Sequence, residues 1–448
     1  MLRNGLRVSK RNIQNGLADN TVVVLDSCRT PFTKSSTAYS NLMPHDMLRA
    51  AVSSTIQRSG IDGSQIDYAV GGTVIAEVKT SNVMREACLG AGLPQSLPAH
   101  TVTMACISSS QAVTTGIGHI MSGAGEVVIC GGVETMSDVP IRHAKAMRQH
   151  LLRNQKMLSK GPKGVLNFLK PVFKAPGKYL APEPPAISEF STGEIMGHSA
   201  DRLASAWGVS RADQDAFAIR SHTKAHKASE AGLLSDVFEY HIPGGETISK
   251  DNGIQVHTPE KLAGLRAAFV KPHGTVTAGN SSYLTDGASA CILSSHKKAQ
   301  EMGLSGQAIL RDYMYVAIDP KDQLLLGPAY GIARLLEKAG LKPSDIDVWE
   351  IHEAFAGQVL ANLEALKDDK FCRERMGVKG AVGELPMDKL NNWGGSLSMG
   401  HPFGATGIRL ISHCANRLKH EDGQYAMIAA CAAGGHAFAG IVERHPDY

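Results

Sequence analysis

The chain has 448 residues, 43% of them hydrophobic and 20% charged, with 46 Lys and Arg against 42 Asp and Glu for a net charge of +4. That length suits one large domain or two to three ordinary ones, and the composition excludes a disordered or collagen-like chain. The charge is unevenly spread: residues 1–18 carry four basic residues and no acid, residues 139–182 carry ten and no acid, and the rest of the chain is net acidic.

In chain order, the first segment interleaves Arg3, Arg7, Lys10 and Arg11 with Leu2, Leu6, Val8 and Ile13. An acid-free, Arg-bearing, helix-compatible start reads as a mitochondrial transit peptide over 1–18, with a plain basic tail as the competing reading. No apolar core of a secretory signal is present there, so secretion is not expected. The run VVVLDS predicts a first strand, and TIQRSG closes an amphipathic helix at Gly60. GSQIDYAVGGTVI follows from Gly63 and passes through Ile-Asp into an apolar strand. In TVTMACISSSQAVTTGIGHIMSG a β-prone run ends at Cys106, and small side chains then suit a tightly packed helix. A thiol at a helix N-terminus is expected to favour thiolate, the alternative being a buried inert cysteine.

GAGEVVICGGVETM reads as a further strand, after which 141–180 carries ten Lys and Arg among Leu, Met, Phe and Val, broken by Gly and Pro. Such text suits an interfacial membrane element or a partner-docking hairpin, with solvated surface as the bland alternative. Nucleic acid is not expected, because aromatic interleaving is sparse and no nucleic-acid motif accompanies the charge. A proline-rich stretch, APEPP, leads back to helical text, in which Ser210 and Asp213 resemble a helix start. Strand-like text resumes at GTVTAGNSSYLTDGASACILSS.

LLEKAG then closes a helix at Gly340, and PSDIDVWEIHEAF repeats the pattern of GSQIDYAVGGTVI at an offset of 280 residues. EDGQYAMIAACAAGG likewise rhymes with GAGEVVICGGVETM. Two rhymes in the same order point to a duplicated α/β half, and the near-continuous apolar runs to strands buried on both faces. Residues 425–442 form an uncharged run of 18 residues, but Gly434, Gly435 and His436 at its centre fit two strands around a turn better than a membrane span. The eight cysteines never approach closer than 17 residues in sequence, so no CxxC spacing exists. They are expected to be free thiols, with no metal site. Neither GxxxxGK[ST] nor GxGxxG occurs, which argues against a P-loop ATPase or a Rossmann dehydrogenase.

Four segments together resemble the thiolase family: Cys106 in MACISS, His352 in HEAF, His401 in GHPFGATG and Cys431 in CAAGG. GGVETMS, MGHSADRLA, LRAAF and VTAGNSSYLTDGASA add matches, and the likeness spans about 20–445. The resemblance implies an α/β fold in which duplicated halves form a layered α/β/α/β/α sandwich with an inserted loop domain. The halves are expected at 19–139 plus 270–297 and at 298–448, with the insertion at 140–269. It also implies cleavage of a medium- or long-chain 3-ketoacyl-CoA by CoA, the last step of fatty acid β-oxidation. Alternatives are an acetoacetyl-CoA thiolase, a condensing ketoacyl synthase of the same fold, and a non-catalytic lipid-binding scaffold.

By that resemblance Cys106 is the nucleophile, His401 its activator and an oxyanion donor, Cys431 a general acid and base, and His352 the holder of an oxyanion water. The backbone N–H groups of Cys106 and Ala433 form the second oxyanion site; Ala433 stands where Gly is frequent. Ser282 and Phe269 are expected near the pantetheine arm, and Met196 and Phe355 near the acyl pocket. Ile195 stands where short-chain biosynthetic members carry histidine, which disfavours acetoacetyl-CoA as the sole substrate. No cofactor is implied, CoA being a substrate. The branch of the family with this basic insertion implies a homodimeric core, an α-subunit carrying enoyl-CoA hydratase and 3-hydroxyacyl-CoA dehydrogenase activities, peripheral membrane contact through 141–180, and the matrix side of the mitochondrial inner membrane.

Overall fold

A computed structural model describes residues 17–186 and 188–448, so most of the expected transit segment 1–18 lies outside the described residues. Nine strands make the body of a ten-stranded sheet: β1 (Val22–Arg29), β2 (Tyr68–Gly72), β3 (Ala99–Val102), β4 (Val127–Glu134), β5 (Thr285–Ser295), β6 (Ala308–Ala317), β7 (Val348–Ile351), β8 (Tyr425–Ala432) and β9 (His436–Arg444). A two-residue strand, Thr33–Lys34, adds to β5. The order is β7-β8-β9-β6-β1-β5-β4-β2-β3.

That order is a duplication. In the first half β1 pairs antiparallel with β5, β5 antiparallel with β4, and β4 parallel with β2. In the second, β6 pairs antiparallel with β9, β9 antiparallel with β8, and β8 parallel with β7. The halves join where β1 meets β6 antiparallel, at Val23↔Ile309 and Val24↔Ala308. The rhyming sequences sit at matching places, since β2 and β7 each follow a short 3-10 turn, Gly63–Gln65 and Pro343–Asp345.

Side chains alternate along each strand, and here both faces are covered. In β4, Val127 and Ile129 face an outer core with Leu48 and Val52, whereas Val128 and Cys130 face a central core with Val113 and Ile411. In β8, Met427 and Ala429 face the other outer core with Ile332 and Leu336, and Ala426 and Ile428 face the same central one. The helices Ser108–Met121 and Thr406–His420 therefore form the middle layer of an α/β/α/β/α sandwich. Burying each aliphatic side chain in such a core contributes roughly 1.5–3 kcal/mol. The uncharged run 425–442 is β8, the turn Ala433–Gly435 and β9. Among the described residues no helix is long and apolar enough to cross a membrane.

The chain between β4 and β5 carries the inserted material. Helices Lys145–Leu158, Gly161–Lys174 and Pro176–Leu180 pack on one another through Met147, Phe168 and Val172. Met196–Ala206 and Arg211–Glu230 bury Ala200, Leu203, Phe217 and Ala218 in the outer core of the second half. The helix Arg211–Glu230 starts as its sequence indicates, with the Ser210 hydroxyl accepting from the Asp213 N–H at 3.1 Å. Buried Arg29, at the end of β1, donates to Asp236 at 2.9 Å and through both Nη atoms to Asp251 at 2.6 and 2.9 Å, fastening the insertion to the sheet.

Candidate active site

The central helices bring the two halves of the site together. Cys106 lies just before Ser108–Met121 and His401 just before Thr406–His420, so the two stand at matching positions of the duplicated halves. The helices dock through glycine. A Cβ on Gly407 would fall 2.3 Å from Ser110 Oγ, and one on Gly132 would fall 2.0 Å from the Gly404 carbonyl oxygen. The Ser109 hydroxyl accepts from the Ile408 N–H at 3.2 Å. Glu134, buried at the end of β4, accepts from the N–H groups of Val74, Ile75 and Gly404, each at 3.0 Å, and so ties the His401 loop to the nucleophile's half.

Cys106 is the one cysteine of the eight that is not fully buried; all eight are free thiols. Its own N–H and that of Ala433 point at the sulfur, while Glu134 sits near enough to oppose its ionisation. Burial outweighs the two N–H groups and pushes the thiol up to about 12. The expectation of a thiolate favoured by a helix N-terminus is therefore corrected: desolvation penalises the anion more than the fixed N–H dipoles help it. Ala433 is not among the residues with positive φ, so its Cβ is tolerated, and neighbouring Gly434 takes the left-handed conformation with φ 80°. Cys431, near the end of β8, is fully buried and feels the charge of Cys106, and burial raises its thiol well above the ordinary range.

His352 follows β7 directly, its N–H bonded to the Ala429 carbonyl of β8 at 2.8 Å. Its ring lies 4.1 Å from that of His401, centroid to centroid. His401 is held by its N–H to Thr285 Oγ1 at 2.9 Å and by Nδ1 to Thr406 Oγ1 at 2.7 Å. Thr406 donates its one hydroxyl proton to the Pro402 carbonyl at 3.0 Å, so Nδ1 of His401 is the donor and Nε2 is bare. Burial pushes His401 down to about 3 and His352 well below the ordinary histidine range, so both rings are neutral. Both Nε2 atoms are buried and have no partner among the described residues. A buried polar atom left unpaired is costly, and two on adjacent rings mark a place for a ligand oxygen or a water.

The expected substrate residues also gather. Phe269 and Phe355 meet edge to face at 6.1 Å, and Phe269 lies against Gly197, next to Met196. All three aromatic and thioether side chains rest half-buried on one core. The Ser282 N–H donates to the Ala354 carbonyl at 3.0 Å, beside Phe355, and Ile195 is 41% exposed.

Sequence reasoning assigned no role to several residues that hold the site. Glu353 accepts from Ser221 at 2.7 Å, Asn391 at 2.7 Å and the Leu397 N–H at 3.2 Å, with only its place beside His352 as a signal. Glu189, from the insertion, accepts from the Gly434 N–H at 2.6 Å and so fastens the turn that carries Ala433. Nothing local in the sequence marks it.

This arrangement has counterparts among known proteins. Family models described as "Thiolase, N-terminal domain" and "Thiolase, C-terminal domain" match residues 22–297 and 304–444. The chain belongs to the thiolase family. It is 56% identical over 439 residues to human "Trifunctional enzyme subunit beta, mitochondrial", covering 98% of this chain and 90% of that one. To a "Probable 3-ketoacyl-CoA thiolase" of Caenorhabditis elegans it is 53% identical over 440 residues, covering 98% and 96%. The crystal structure of human mitochondrial 3-ketoacyl-CoA thiolase superposes with a TM-score of 0.80 at 26% identity, covering 95% of this chain and 100% of that one. As a thiolase the protein is an acyltransferase.

Proposed function

We propose that this thiolase cleaves 3-ketoacyl-CoA with CoA, giving acetyl-CoA and an acyl-CoA shortened by two carbons, the last step of fatty acid β-oxidation. The observations that carry the reading are Cys106 with the Ala433 N–H on its sulfur and Cys431 close by, and two neutral histidines whose rings adjoin and whose Nε2 atoms have no partner among the described residues. A condensing ketoacyl synthase of this fold has no use for the second thiol.

The Cys106 proton passes to His401 Nε2 as sulfur attacks C3, and the C3 carbonyl π pair moves onto oxygen. The N–H groups of Cys106 and Ala433 stabilise that oxyanion. Each such donor is worth on the order of 3 kcal/mol in a transition state. The pair returns, the C2–C3 bond breaks, and an acyl thioester remains on Cys106. The departing electrons rest on the thioester oxygen of the acetyl-CoA enolate, where His401, now carrying a proton on Nε2, and His352 supply hydrogen bonds. Cys431 protonates C2 to release acetyl-CoA. Its thiolate then takes the proton of incoming CoA, whose sulfur attacks the acyl-enzyme and expels Cys106, which recovers its proton from His401 Nε2. A high thiol pKa suits Cys431 to hold its proton until a carbanion needs it.

The half-buried surface of Met196, Phe269 and Phe355 suits a medium or long acyl chain, with Ser282 by the pantetheine arm. CoA enters as substrate and no cofactor takes part. The protein is mitochondrial; the further assignments are the matrix side of the inner membrane, a homodimeric core, an α-subunit with hydratase and dehydrogenase activities, and membrane contact through 141–180. The test is CoA-dependent loss of 3-ketoacyl-CoA across chain lengths from C4 to C16. Activity that rises beyond C4 is expected, and no CoA-dependent loss at any length sinks the reading.

A further inference from the structure

His352 and His401 differ in what holds them. Arg409, 1% exposed, donates from Nη2 to Ser396 Oγ at 2.9 Å, and Ser396 Oγ lies 3.0 Å from His352 Nδ1. Arginine has no acceptor, so the serine accepts from Arg409 and keeps its own hydroxyl proton to donate. His352 Nδ1 is the acceptor within reach. A hydroxyl that donates there leaves Nδ1 of His352 without a proton, and in the neutral ring Nε2 then carries it. His401 has the opposite arrangement, with Nδ1–H on Thr406 and a bare Nε2. Two adjacent rings of like composition thus present one N–H and one lone pair to the same space. Arg409 is itself fixed, its Nη1 lying 3.5 Å from Glu350 on β7.

We propose that Ser396 and Arg409 are positioning residues that fix His352 as an Nε2–H donor toward the substrate oxygen, beside a His401 held as a base. The proposal rests on the thiolase reading and adds to it how the hydrogen-bond roles of the two histidines are divided. Freed from Ser396, His352 could place its proton on Nδ1 and present a lone pair to a developing negative oxygen, which repels where donation is needed.

The test is a double-mutant cycle in steady-state thiolysis with the full chain. Ser396→Ala is expected to lower kcat about tenfold, the scale of one misdirected hydrogen bond, with KM little changed. An asparagine at 352 offers an amide N–H that no tautomer governs. In the His352→Asn background Ser396→Ala should therefore change kcat by less than about twofold. An equal loss in both backgrounds means that Ser396 only supports the fold and overturns the proposal. The tautomer is read independently by NMR of protein labelled with 15N-histidine, where His352 Nε2 should bear the proton in the wild type and lose that preference in Ser396→Ala. A proton on Nδ1 in the wild type also overturns it. Absence of thiolysis by the wild type contradicts the activity and leaves the tautomer measurement able to decide the positioning role.

Discussion

At Cys106 two opposing effects act on one sulfur, and burial prevails over the N–H groups of Cys106 and Ala433, leaving a thiol near 12, while burial holds the His401 imidazole near 3. Thiol and neutral imidazole are then the resting forms across the working pH range, and in the proposed mechanism the nucleophile forms only as its proton moves to His401. Thiolate absorbance of the wild type minus that of Cys106→Ala should accordingly show no ionisation step between about pH 6 and about pH 9. A step centred near neutrality contradicts this. The same shift has a sign for stability. An unfolded histidine titrates near 6.5, so below about that pH the unfolded chain binds a proton that folded His401 refuses, and stability falls as the pH drops. The four residues expected to carry the chemistry could be picked out because each lies in a short distinctive motif. Ser396, Thr406 and Arg409 were not, because their effect is the placing of a proton, which depends on three-dimensional hydrogen bonds.

At the scale of elements, the basic segment reads in sequence as an interfacial element and folds as the helices Lys145–Leu158, Gly161–Lys174 and Pro176–Leu180. Leu152, Leu166 and Phe173 are 75%, 66% and 73% exposed. Apolar side chains this exposed among Lys and Arg complement an anionic lipid surface, where each basic residue is worth about 1 kcal/mol. Deleting 155–180 should therefore reduce binding to vesicles containing anionic lipid, and added salt should weaken binding of the intact chain; unchanged vesicle binding after deletion rules out this contact. The rhyming strands were readable because a buried parallel strand keeps its apolar run whatever surrounds it. The clamp of Glu189 on Gly434 joins residues 245 apart in sequence, and no local pattern encodes such a reach.

Across the whole molecule, the duplicated halves differ in the connection between their last two strands. Between β8 and β9 the chain turns in three residues, Ala433–Gly435, whereas between the matching β4 and β5 it makes the insertion. The short turn carries Ala433, the proposed oxyanion donor, and the long excursion returns Glu189 to hold that turn and Arg211–Glu230 to cover the second half. On the proposed reading one half contributes Cys106 and the other His352, His401 and Cys431, so neither half contains the complete proposed site. The central claim is that the acyl group is carried on Cys106. Its most direct measurement is the mass of the protein after exposure to a 3-ketoacyl-CoA without added CoA. The account predicts a gain of the shortened acyl group on Cys106, discharged when CoA is added and absent from Cys106→Ala. Acylation of Cys106→Ala, or of a different residue in the wild type, contradicts it.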